Sequence, residues 1–186
     1  MGGEEQQKPI ETARFQMEGP GDLLRKLNYD LQRIATAKKR SHAAFAVFDF
    51  ATTAWSIADW SWEAVKVRRS DLTKTLFLDS LFLKAIPEME VCRLIATGAK
   101  HFIVSKDPKE IHTMVISTFS RTRDPLDGGK TVKTEKAAIA FVQWRGESLP
   151  CDEVFATVYN KVGLFLHEHG LASGSQYLTE IFDDHQ

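Results

Sequence analysis

Cysteine is nearly absent from these 186 residues, with Cys92 and Cys151 the only two. Two lone thiols make neither a disulfide framework nor a metal-ligand spacing, so both are expected to be reduced. No hydrophobic run has the character of a membrane span. The richest apolar stretch, Ala43 to Val67, is interrupted by Asp49, Thr52, Thr53, Ser56, Asp59, Ser61 and Glu63, which a bilayer helix would not carry together. No charge of one sign dominates either. With 24 Lys+Arg against 25 Asp+Glu the net charge is −1, so no global field draws the chain onto nucleic acid or an anionic membrane. Contact with RNA would need a local patch. The residues from Met1 to Lys8 lack the apolar core of a secretory signal, and a cytoplasmic location is expected.

What is present suits one globular domain: 43% hydrophobic and 26% charged residues in a chain long enough to bury a sizeable core. Residues 1–21 are polar, contain Pro9, Gly19, Pro20 and Gly21, and read as an N-terminal arm, leaving 22–186 as the domain. A first helix opens at Asp22, with Leu24, Leu27, Leu31 and Ile34 on one face. Ser41 is expected to cap a second helix. Its stripe of Phe45, Phe48, Thr52, Trp55, Asp59 and Trp62, widened by Ala44, Val47, Ala51, Ala54 and Ala58, marks it as the central support of the domain. A third helix runs through Leu72, Leu76, Phe77 and Leu83, and Pro87 begins a fourth, from about Glu88 to His101.

From Asp107 the hydrophobic period changes to two. Met114, Ile116 and Thr118 alternate with Val115, Ser117 and Phe119, and a second alternation follows across Ile139 and Phe141. These are two strands of an antiparallel hairpin at about 112–145, joined across the turn-rich Asp124 to Gly129. After Pro150, Val154, Val158, Val162 and Phe165 define a helix that stops at Gly170, and a short helix is expected around Tyr177 to Phe182. The expected fold is mainly α with a small β insertion: a helical bundle, a two-stranded hairpin and a C-terminal helix.

Several motifs fail as sites. Gly129-Lys130-Thr131 looks like the end of a phosphate loop, but Asp124 stands where the first glycine is needed and no helix follows. His167, Glu168 and His169 are consecutive helical positions that point apart, so no metal ion is expected there. No cofactor is expected. Trp55, Asp59 and Trp62 share a face that suits core packing or an aromatic pocket, and Asp59 on that face requires a hydrogen-bond or ionic partner. The remaining cluster is Arg93, Lys100 and His101. A histidine exchanges protons near neutral pH, and an arginine or lysine holds a phosphate, which are the needs of metal-independent RNA cleavage. Arg93 and Lys100 fall on one side of a continuous helix, but they suit an exposed polar face equally well.

The segment Cys92-Arg93-Leu94-Ile95-Ala96-Thr97-Gly98-Ala99-Lys100-His101-Phe102, preceded by the aromatic stretch Phe48 to Trp60, resembles a group of uncharacterised bacterial helical proteins with a Cys-Arg-x-Ile-Ala-Asn-Gly-x-Lys-His-Phe-like motif. That group is similar in layout to HEPN domains, helical bundles that include ribonucleases of toxin and defence systems. The resemblance implies an arginine and histidine catalytic pair, Arg93 and His101, with Lys100 on the phosphate and Asp59 orienting a partner. It also implies an RNA substrate and a homodimer. In this chain seven residues, Leu94 through Lys100, separate the pair where HEPN motifs have four to six, and Thr97 replaces asparagine. Because many HEPN-like domains are dimerisation or binding modules, a non-catalytic module with a protein partner is the alternative implied.

Overall fold

In the computed structural model the described residues are 17, 19–100, 111–123 and 133–171, with side chains described over 17, 19–98 and 137–171. The element order is mainly helical with an antiparallel sheet inserted before the last helix. Helix α1, Pro20–Ala35, starts at Pro20 rather than Asp22. Proline suits the first helical position because its missing N–H would be unpaired there, and the Asp22 carboxylate accepts a hydrogen bond from the Gly19 N–H at 3.1 Å. Helix α2, Arg40–Lys66, packs against α1 and most of the other elements, as expected of a central support.

The face by which α2 does this is the expected one only in part: Val47, Ala51, Ala54 and Ala58 are buried, but the aromatic stripe itself is not. Its buried residues are Ala43, Ala46, Val47, Phe50, Ala51, Thr53, Ala54, Ile57, Ala58 and Ser61. The aromatic stripe lies on nearly the opposite side, with Phe45 and Phe48 exposed and Trp55 and Trp62 partly buried. Neighbours on several sides can approach a helix closely only across small side chains, so the alanine face takes the core and the large rings are displaced outward. Lys39 rather than Ser41 occupies the N-cap.

Helix α3, residues 74–85, has α-helical ends, Lys74–Leu76 and Leu83–Ala85, around a π-helical turn, Phe77–Phe82. Phe77 and Phe82 are both buried within 6 Å of one another and of Phe165 or nearly so, at centroid distances of 5.9 Å to each other, 6.2 Å from Phe77 to Phe165 and 4.9 Å from Phe82 to Phe165. Helix α4 is Met89–Lys100. Strands β1, Ile111–Arg123, and β2, Lys133–Trp144, pair antiparallel from Met114↔Val142 to Arg123↔Lys133. A third strand, β3, Glu147–Pro150, extends the expected hairpin on the β2 side, with Trp144 opposite Glu147. Helix α5, Cys151–Glu168, then buries Val154, Phe155, Val158, Val162, Phe165 and Leu166.

Among the described residues the sheet is joined to the helices by a hydrogen bond from the Ala138 N–H to the Ala37 carbonyl at 2.8 Å and by Ala140 and Val142, which belong to the helical core. On β2 the buried residues are Ala138, Ala140 and Val142, in strict alternation with half-buried neighbours. Among the described residues no helix is long and apolar enough to cross a membrane. Of the expected arm 1–21, residues 1–16 and 18 lie outside the described residues and Pro20 and Gly21 belong to α1; the Asp124 to Gly129 turn and the helix expected around Tyr177 to Phe182 also lie outside them.

Candidate functional site

The expected polar cluster is only partly within view. Arg93 is on α4 with its guanidinium bound by Glu90: Nε donates to Oε2 at 2.7 Å and a second nitrogen to Oε1. The two side chains are one helical turn apart, so this bidentate pair is local to α4. Arg93 stays 35% exposed. Asp59, 46% exposed on α2, meets Lys74 at the start of α3 at 2.8 Å, so the partner that its position demanded is a cation of the next helix rather than Arg93. The Lys100 side chain and all of His101 lie outside the described residues; the Lys100 backbone ends α4, two turns beyond Arg93.

A denser ionic cluster joins α1 to α2. Asp30 is buried and accepts from Lys26 at 2.6 Å, from Arg33 at 3.0 Å and from the Thr53 hydroxyl at 3.3 Å. Lys26 also donates to Thr53 at 2.6 Å, and Arg33 reaches Asp49 at 2.7 Å. The hydrogen bond that Arg33 donates to Asp49 is the main reason Arg33 is held above an arginine's usual pKa, against the opposing cost of burial. Tyr29 lies beside Arg33, with 5.8 Å from the guanidinium carbon to the ring centroid. Phe45 is one turn before Asp49 on α2, and Phe48 flanks it. Tyr29, Phe45 and Phe48 are 62%, 63% and 40% exposed, so that large rings stand outward on the two helices that the Arg33–Asp49 pair joins.

A separate cavity of about 120 Å³ lies where α2 and α5 end beside the π-helical turn of α3. Val65, Leu72, Phe77 and Leu81 form its apolar wall, and Arg68, Arg69 and His169 its polar side. Arg69 is bound by Asp71 through two contacts of 3.0 Å, and this pairing holds the exposed Asp71 carboxyl below the usual carboxylate range. The His169 ring packs on Phe165 at 4.2 Å. Sequence reasoning passed over this cavity because Arg68 to Asp71 reads only as a break between helices. The one local signal is the spacing of five between Phe77 and Phe82, which fits a π turn better than an α-helix.

Comparison with protein-family models, with curated proteins and with solved structures gave no match to this chain.

Proposed function

We propose that this chain is an interaction domain of HEPN-like layout that pairs with a second copy of itself through the α1–α2 face around Arg33. The observation that carries this reading is the exposure of Tyr29, Phe45 and Phe48 on the two helices joined by the Arg33–Asp49 pair, with Tyr29 beside Arg33 and Phe45 one turn before Asp49. Aromatic residues and arginine are the types enriched where proteins meet, because they bury much area at little conformational cost. Covering one exposed phenylalanine is favourable by about 1.5–3 kcal/mol. The same patch on two copies is self-complementary about a two-fold axis, where Arg33 and Asp49 of one copy can also meet their counterparts. Arg93 and Asp59, by contrast, already have their charges matched by Glu90 and Lys74. Sedimentation of the full chain tests the proposal: wild type is expected at twice the chain mass, and Phe45→Glu/Phe48→Glu at the chain mass with an unchanged helical spectrum. A wild type that stays monomeric at high micromolar concentration sinks it.

A metal-independent endoribonuclease is the second reading, favoured by the exposure of Arg93 and by the position of Lys100 seven residues further along the same helix. It assigns proton transfer to His101, phosphate binding to Arg93 and Lys100, and an orienting role to Asp59. Incubation with total RNA in chelator is expected to give cleavage that is lost in Arg93→Ala and in His101→Ala. Cleavage that persists in both variants removes those roles.

A further inference from the structure

We propose that the cavity between the ends of α2 and α5 and the π-helical turn of α3 binds a small organic carboxylate with a compact apolar body, a short branched or single-ring acid. Its volume of about 120 Å³ is a little below the roughly 150 Å³ that encloses benzene, and it is open at one side, so the apolar body enters and the carboxylate stays at the mouth. Leu72 and Phe77 are buried side chains that give the body a fixed wall. The π turn presents Phe77 and Leu81 to the same space, and turns of this kind are frequent at functional sites.

The polar side selects the charge. Arg69 is already neutralised by Asp71, whereas Arg68 has no hydrogen-bond or ionic partner among the described residues. Arg68 is also held close to the turn that ends α5: a Cβ placed on Gly170 would lie 3.9 Å from its guanidinium nitrogen. The mouth is at the C-terminal ends of two helices, whose unpaired carbonyls repel an anion. A carboxylate can therefore stay there only if Arg68 takes it, and a guanidinium fork matches a carboxylate bidentately. Arg68 could serve α2 alone as a cation near the helix terminus; that role predicts no dependence of ligand binding on it.

Titration calorimetry of the full chain with phenylacetate and isovalerate, alongside their neutral amides, separates these outcomes. Both acids are expected to bind and to raise the melting temperature in a dose-dependent way, with the amides at least about tenfold weaker. Arg68→Gln is expected to weaken the acids by at least about tenfold while melting as wild type without ligand, since the exposed arginine makes no internal pair. The proposal is overturned if neither acid binds up to about 10 mM, if the amides bind as tightly, or if Arg68→Gln binds the acids as wild type does. The test is independent of oligomeric state.

Discussion

Asp30 lies in the interior with its carboxyl group reached by Lys26, Arg33 and Thr53 from the rim of the α1–α2 interface. The two cations remain partly exposed, so each loses little hydration while the carboxylate gains charge-assisted hydrogen bonds. Asp30→Ala is expected to cost about 1–3 kcal/mol in urea unfolding, the value of lost hydrogen bonds to a charged group. Asp30→Asn should cost less, since its amide oxygen can still accept from Lys26. The two cysteines behave in the opposite sense. Burial pushes the Cys92 thiol far above its ordinary value, with a smaller push from Cys151, and burial followed by Asp152 pushes Cys151 to about 12. Thiols whose pKa is raised on folding contribute fully below their unfolded value of about 9 and lose that contribution as pH rises through the folded value. The urea midpoint should therefore fall between pH 8 and pH 10.5, and fall less in Cys151→Ala. An equal fall in both proteins would show that the Cys151 thiol is not a source of it.

At the scale of single elements, α2 and the β2–β3 turn show how local geometry answers to surroundings. Trp144 and Glu147 are joined by Arg145 and Gly146, both with positive φ, at 51° and 85°. This is the two-residue turn whose twist matches an antiparallel pair, and it normally carries Asn-Gly. Arg145 is strained there, with its guanidinium over the Trp144 ring at 4.5 Å as partial compensation. Arg145→Asn is expected to raise stability by up to about 1 kcal/mol, read as a higher melting temperature. A fall would mean that the ring contact outweighs the backbone strain. The aromatic stripe of α2 shows the converse limit. A period of three and four identifies a helix and a face, but not which of two apolar faces the neighbours cover.

For the molecule as a whole, the joint between N- and C-terminal halves is the stacked pair Phe50 and Phe155, with ring centroids 4.3 Å apart and planes within 5°. Both are fully buried, on the central and last helices. Glu88 and Lys161 add a second tie, at 2.7 and 2.8 Å, between the segment that leads into α4 and the middle of α5. Phe155→Ala is expected to cost about 3–5 kcal/mol, because a ring-sized cavity opens between elements that cannot close on it. Unfolding should remain one transition in calorimetry. A separate early melting of α5 would show that the last helix is not part of the common core.

Among the described residues the sequence by itself determined the main helices, the hairpin, the end of α5 at Gly170 and the central position of α2, because periodicity, proline, glycine and turn chemistry act over a few residues. It also marked Asp59 as a carboxylate in need of a partner. Only the tertiary structure decided that Lys74 is that partner and that the aromatic stripe of α2 is turned away from the core. The same holds for the Asp30 network and for the cavity that unites Arg68 with Phe77 and His169. Such features depend on which surfaces meet across long separations in the chain, and a local pattern has no term for the neighbour that arrives from elsewhere.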